Sequence, residues 1–340
     1  MDVKITKKRF INLIGYDLVK IILAIVAAIV VWVLLFTTCA TRATVGEQFY
    51  FVMFDDVYAN DGYSSNVLNE LKKDGKLSYD VLNAYVSNVT SAGNYSALYM
   101  LSLKASTKEG DVIMFNGKNE EAKNEDGTVK TDETGAPVMQ VNQSAQSIVN
   151  NNYLVPFIDY LDSAKNYLDR FVTDGVVNEK AVEEYFLSVR LKEAGNYRKT
   201  YRTDEQKAEG VKNEIERIKT LNETYSTVTS AIENAAADGV DLYWYADFTP
   251  SETYEKKHVA YGIDLYKLNA RYAESGGKKI TDYWYYWETE KDSNGNDQQI
   301  RSGEGLVLSV FNFGSDQPDL QFESLAVIEY AIKNFSDYAN

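Results

Sequence analysis

One cysteine, Cys39, and one histidine, His258, occur in 340 residues. A single thiol excludes an intrachain disulfide. The two residues together are too few for a Cys/His zinc site. Cys39 lies at the end of a long apolar run, badly placed to act with His258 as nucleophile and base. The sequence also lacks a phosphate-binding Gly-Lys loop, a paired-histidine zinc helix and a Gly-x-Ser-x-Gly turn. Its 50 acidic residues allow a glycosidase pair by count, yet no two stand in a recognisable arrangement. The expectation is a protein that is not an enzyme and needs no cofactor and no metal.

Positive charge is scarce as well. The net charge is −15. The segment to Arg42 holds six basic and two acidic residues, so the remainder carries −19. Such a surface repels phosphate backbones, which argues against nucleic acid as a partner. An exported chain without disulfides fits a bacterium that does not rely on oxidative folding outside the cell.

Residues 21–41 read IILAIVAAIVVWVLLFTTCAT, 21 positions without a charge. As a helix they rise about 30 Å, the thickness of a bilayer core. Lys4, Lys7, Lys8, Arg9 and Lys20 precede them, and positive charge stays on the cytoplasmic side. The expected organisation is a basic cytoplasmic tail at 1–17, a transmembrane anchor at 18–41 and an extracytoplasmic domain at 42–340. The location is then the cell membrane, single-pass, with the bulk outside and the lipid bilayer as one partner. Two rivals keep the same location. Cleavage after Ala40 would make the run a signal peptide. Lipidation of Cys39 would make the chain a lipoprotein, although Phe36, Thr37 and Thr38 are unlike the small residues such a site prefers.

Beyond the anchor, FYFVMF at 49–54 has the character of a buried strand. Residues 66–72 and 78–101 read as helices, the second from the spacing of Val81, Leu82, Tyr85, Val89, Leu98 and Leu101, with a break near Gly93. A glycine turn leads into a strand at 110–115. Residues 116–143 are polar, with turn signals at Asp126-Gly127 and Thr134-Gly135, and read as a hairpin or flexible loop. A helical region follows over 157–237: a helix led by Pro156, another at 178–194, and a long amphipathic one at 204–236. The last carries a stripe of Val211, Ile215, Ile218, Leu221, Tyr225, Val228 and Ile232. Strands are expected at 241–248, at 280–290 and 297–301 around the Asn294-Gly295 turn, and at 305–313. A helix started near Pro318-Asp319 closes the chain. Strand and helix alternate at both ends around a helical middle, an α/β pattern with a helical insertion.

Several pieces, in this order, resemble a bacterial extracellular solute-binding protein of the type II periplasmic-binding class. They are FYFVMFDD at 49–56, EGDVIMF at 109–115, NNNYLVPFIDYLDSA at 150–164 and GLVLSVFNFGSDQPDLQFESLAVIEYAIKNF at 305–335. The likeness covers about half of the exposed chain. It implies a two-lobed α/β fold with a helical insertion, preceded by one transmembrane helix. It also implies a solute held by lobe closure, and a membrane transporter or other envelope protein as the macromolecular partner.

Ligands of open α/β sheets sit outside the carboxyl ends of the strands. That rule selects Asp55, Asp56 and Tyr58 after the first strand and Asn116 after the second. Flat rings with polar edges suit sugars and other part-apolar solutes. They are supplied by Tyr243, Trp244 and Tyr245 and by Trp284, Tyr285 and Trp287 in a chain with 26 tyrosines. A small carbohydrate-like or peptide-like solute is the expected ligand of an interlobe cleft. The alternative is a cell-envelope scaffold or adaptor that binds a membrane or wall protein through its helical middle. A pocket shared by Trp244 and Trp284 would favour the first, and separate cores with an exposed 211–232 stripe the second. Asp292–Asp297 superficially invites calcium but lacks the glycine and glutamate at the positions an EF-hand requires, and reads as a hairpin turn. His258, in Lys256-Lys257-His258, reads as an exposed bystander.

Overall fold

The structure is a computed structural model and describes residues 7–39, 45–91, 96–124, 126–193, 200–249, 255–292, 294–314 and 322–339. It divides into two units, residues 1–43 and residues 44–340.

The first unit is helix α1, Lys7–Cys39. Every side chain from Lys20 to Leu35 is exposed, with apolar residues on all sides. Among the described residues no helix is long and apolar enough to cross a membrane. The described side chains of the apolar run, Ile21 to Leu35, rise about 22 Å, short of a hydrocarbon core of about 30 Å. The side chains of 36–41 lie outside the described residues, so the anchor expected at 18–41 rests on the sequence alone.

The second unit is mixed α/β. Its main sheet runs β3-β1-β4-β13-β10-β9: β1 is Gln48–Phe54, β3 Asn83–Val89, β4 Val112–Asn116, β9 Tyr243–Phe248, β10 Lys257–Asp264 and β13 Leu306–Val310. β1 pairs in parallel with β3 and β4, and β13, β10 and β9 continue antiparallel. The strand period of two divides β1 between two cores. Phe49, Phe51 and Met53 enter one, and Val52 and Phe54 the other.

The first core is covered by α2 (Tyr63–Lys73), α5 (Phe157–Leu168), α6 (Glu179–Tyr185), α7 (Asp204–Ala237), α8 (Leu265–Glu274) and α9 (Ser324–Phe335). The second is covered by α3 (Ala97–Thr107) and α4 (Gln143–Asn150). Smaller elements complete the unit. β2 (Tyr58–Ala59), β11 (Trp284–Lys291) and β12 (Asp297–Ser302) form a three-stranded sheet ordered β12-β11-β2. β5 (Asn119–Glu121) pairs with β6 (Met139–Val141), and β7 (Val172–Thr173) with β8 (Val176–Val177).

Most expected elements lie where the pattern placed them, and two expectations differ, the helix at 78–101 and the two lobes. Residues 78–101 are not one helix. β3 occupies 83–89, because parallel pairing to β1 outweighs the near-helical spacing of Val81, Tyr85 and Val89. The segment 116–143, expected as a hairpin or flexible loop, is a hairpin with two further turns. It pairs Lys123 with Val129 and Thr131 with Pro137, and glycines 127 and 135 supply the positive φ these turns need. The expectation of two lobes is corrected to one body: the helical middle folds back onto the face of the single large sheet, and residues 44–340 form one compact unit. The closing helix begins at Ser324, and Pro318-Asp319 lie outside the described residues.

The helical middle is fastened by charge. Glu214 on α7 is fully buried. Arg217, one turn on, grips its two oxygens at 2.9 and 3.0 Å, and the Tyr79 hydroxyl donates to Oε2 at 3.0 Å. Arg190 approaches Glu214 at 3.7 Å and also pairs with Asp80. Arg190 ends a π-helical turn, Phe186–Arg190, that follows α6. That turn packs against α7 at Gly210, where a β-carbon would collide with the Phe186 ring. Arg217 also reaches the Tyr167 hydroxyl of α5, and Glu323 just before α9 at 3.9 Å. Burial alone would raise the Glu214 pKa, but Arg217 and Arg190 outweigh it and hold the group at about 2.

An uncompensated buried charge is costly, so Arg217→Ala is expected to lose about 3–5 kcal/mol in urea unfolding. The Glu214 pKa lies below its ordinary 4.5, so its stabilisation is present above that value and lost as pH falls towards 2. Glu214→Gln is expected to unfold more easily at pH 7 and to lose less on acidification than the unaltered chain. Equal acid sensitivity of the two would contradict the assignment.

Candidate functional site

β1 and β4 end side by side, and the chain leaves each through polar residues. Asp55 follows β1 with φ +57°, a left-handed conformation that Asp tolerates better than most residues. Its backbone N–H donates to the Val89 carbonyl at 2.7 Å, which ties the turn to β3. Ser144, at the start of α4, donates to its carboxylate at 3.3 Å. Asp56 is largely enclosed, and burial raises its pKa above the ordinary value despite a 3.3 Å bond from the Asn116 amide.

Asn116 closes β4. Its side-chain oxygen accepts from the Lys118 N–H at 3.0 Å, and its backbone carbonyl accepts from Asn142 at 2.6 Å. These bonds fix the loop after β4 against the base of α4. The wall opposite is β11, which brings Trp287 and Glu288. Between them lies an open cleft of 640 Å³, lined among others by Asp55, Asp56, Asn116, Ser144 and Trp287.

The cleft is acidic. Asp55, Asp56, Glu120, Glu121 and Glu288 face one cation, Lys118. Lys118 is itself committed to Glu288 at 2.7 Å and Glu304 at 2.5 Å. Burial opposes its charge, but these two bonds hold the ammonium well above the ordinary lysine range. The Lys118 bond in turn keeps Glu288 ionised below the usual range. Donor-bearing solutes are favoured over anions by such a surface. Among the described residues no group of three or more His, Cys, Asp or Glu is placed to hold a metal ion.

Beside the cleft is a row of rings. Tyr58 stacks on Tyr285 at 6.0 Å, and Tyr285 meets Trp287 edge-on at 5.3 Å. The Arg301 guanidinium lies 4.3 Å from the Tyr285 ring. Tyr58 and Trp287 are 41% and 46% exposed, whereas Tyr285 is buried.

Of the residues selected from the sequence, the fold brings Asp55, Asp56, Asn116 and Trp287 to the cleft, with Tyr58 and Tyr285 adjoining. The other four do not gather there. Trp244 lies in the second core, edge-on to Phe115, and its indole N–H donates to the Gly117 carbonyl at 3.0 Å. Trp284 lies fully buried in the first core and donates to Ser64 at 2.8 Å. The two tryptophans therefore share no pocket: Trp244 stands on β9 of the main sheet and Trp284 on β11 of the three-stranded sheet, and they enter different cores. Tyr243 packs near Phe157, and Tyr245 stacks on His258 at 4.9 Å. His258 is exposed and bonds Asp247 at 3.0 Å.

Lys118, Ser144 and Glu288 were not singled out by sequence. Lys118 alone had a visible signal, since Asn116-Gly117-Lys118 is the turn directly after an apolar strand. Asp292 accepts from the N–H groups of Asn294 and Asn296, both at 2.8 Å, which makes 292–297 the hairpin turn expected of it. A second cavity, of 310 Å³, lies between the loop after α2 and helices α7 and α9. Of its charged lining residues, Lys76, Arg217 and Glu323 are engaged in internal ion pairs of the first core, Lys72 donates to the Leu82 carbonyl, and Glu216 pairs with Lys219 at 3.4 Å.

No protein-family model, no characterised protein and no solved structure matches this chain.

The geometry separates two kinds of tryptophan. Trp244→Ala and Trp284→Ala are each expected to cost about 3–5 kcal/mol in denaturant unfolding, as large-to-small core changes do. Trp287→Ala is expected to stay within about 0.5 kcal/mol of the unaltered chain. A large loss at Trp287 would place it in the core and remove it from the site.

Proposed function

We propose that this chain is a membrane-tethered, extracytoplasmic binding protein. It holds a small solute in the cleft at the carboxyl ends of β1 and β4, without catalysis. The convergence of Asp55, Asp56, Asn116 and Trp287 on one open cleft carries this reading. An exposed indole offers a flat apolar face, while carboxylates and an amide accept and donate hydrogen bonds around it. Sugars, amines and short peptides present that combination of apolar faces and donor groups. The uncharged run at 21–41 behind a basic tail supports the tether and the outside location. The likeness of four sequence segments to type II solute-binding proteins supports the binding role. A membrane transporter or another envelope protein is the partner this role implies.

A scaffold acting through the stripe on α7 finds less support. Ile218, Leu221 and Val228 are buried in the first core, and Ile215, Tyr225 and Ile232 pack against it. The helix thus spends its apolar face on its own unit.

The test is thermal shift and tryptophan fluorescence of the full chain in detergent, against a panel of sugars, peptides and amino acids. A ligand at a hundredfold excess over its dissociation constant stabilises by about 2.7 kcal/mol. A saturable shift is expected with a neutral or cationic solute, weakened at least tenfold in Trp287→Ala and weakened in Asn116→Ala. A shift unchanged in both variants, or no shift with any member of the panel, would contradict the reading.

A further inference from the structure

The two edges of the main sheet are finished differently. An edge strand presents a row of backbone donors and acceptors that invite another strand, and proteins usually blunt it with charge, proline or cover. At the β9 edge the carbonyls of Tyr243 and Asp247 accept from Lys267 and Gln146. These carbonyls point outward, because the neighbouring Leu242 carbonyl accepts from Asp264 on the β10 side. Asp247 is further paired with Lys256 at 2.6 Å. That edge is occupied by side chains and carries charge.

Among the described residues the β3 edge carries none of these devices along its length, and a lysine, Lys72, reaches only the Leu82 carbonyl just before it. Asn83–Val89 reads NAYVSNV, seven residues without a charge or a proline. The Val89 carbonyl accepts from Asp55, so Val89 faces β1. Strand alternation then turns the N–H and C=O of Ala84, Val86 and Asn88 away from the sheet. Among the described residues nothing bonds these outward groups. Tyr85 on the same strand is 44% exposed and stacks on Tyr50 at 5.3 Å.

The outward set is symmetric about its middle member. In an antiparallel pair, residues that face one another exchange both N–H···O bonds. With Val86 opposite its own copy, Ala84 falls opposite Asn88 and Asn88 opposite Ala84, and every outward donor and acceptor is met. Tyr85 then lies opposite Ser87 and Asn83 opposite Val89, so no like charges meet in a chain of net charge −15. A strand of different sequence would pair equally well through its backbone. A second copy brings an equally uncharged row, and its two-fold pairing is closed, leaving no further β3 edge open.

We propose that β3 is the interface through which two copies of this chain pair, strand to strand and antiparallel, with Val86 on the two-fold axis.

The test uses the full chain in detergent with Cys39→Ser, so that an introduced thiol is the only one. Facing residues of such a pair have α-carbons about 5.5 Å apart, within reach of a disulfide. Val86→Cys is expected to give a covalent dimer on mild oxidation. Asn83→Cys is expected not to, because its two copies would lie about 20 Å apart along the strands. In density-matched detergent the unaltered chain is expected to sediment at twice the chain mass. Val86→Pro, which removes an outward N–H and alters a side chain packed against the first core, is expected to sediment as a monomer while remaining folded. Should that variant unfold, the double variant Ala84→Lys with Asn88→Lys sets like charges opposite one another and is expected to weaken the dimer at least tenfold. A monomeric full chain without cross-linking at Val86→Cys would overturn the proposal. So would equal cross-linking at positions 83 and 86, and so would a dimer indifferent to both the proline and the lysine variants.

Discussion

The buried carboxylate of Glu214 sets the shape of this unit. It sits in the middle of a long helix, at a depth where an unpaired charge is intolerable. Its partners come from three places in the sequence. Tyr79 belongs to the loop between α2 and β3, Arg190 to the π-turn after α6, and Arg217 to α7 itself, while Tyr167 of α5 steadies Arg217. Each helix of the insertion must therefore dock in one place and one rotation for the charges to meet. A buried pair adds little net stability over a well-packed apolar contact. Here it fixes which face each helix turns to the sheet, and so returns the helical middle to the single body.

With that face covered, recognition is left to the rim of the sheet. β1 and β4 deliver Asp55, Asp56 and Asn116 to the same end, and the left-handed backbone at Asp55 turns the chain out of the sheet. The three-stranded sheet of β2, β11 and β12 supplies the opposing wall. Trp244 and Trp284 act from behind, one bonded to the carbonyl of Gly117 beside the cleft, the other to Ser64 at the start of α2. A site with two short polar loops at its base and one exposed indole at its edge is suited to holding a solute. Its carboxylates and its paired lysine are held in place by their neighbours.

The parts of the fold legible in the sequence are those where local pattern and tertiary context agree. FYFVMF, DVIMF and GLVLSVF are continuous apolar runs, because strands in the middle of a sheet are covered on both faces. α7 was legible from its stripe, and in the structure Thr203 caps it with Gln206 in a reciprocal pair. β3 was not, because an edge strand with half-exposed positions has no clean period, and only its pairing with β1 defines it. The second lobe inferred from family likeness was an error of context, since helices pattern alike whether they build a lobe or cover a sheet. Within the site, the residues just past the strands were legible from topology alone. The tryptophans were not, because composition does not tell which side of a strand a ring occupies. Neither were Ser144 and Glu288, which arrive from distant segments.

Hydrogen–deuterium exchange of the full chain, with and without the pooled sugar, peptide and amino-acid panel, tests the central claim most directly. It reports where a solute acts without altering the protein. Binding in the proposed cleft predicts slowed exchange at 55–58, 116–121, 142–144 and 284–289, with the cavity between α2, α7 and α9 unchanged. Protection confined to that cavity or to the α7 stripe, or no protection anywhere, would contradict a binding function at the carboxyl ends of β1 and β4.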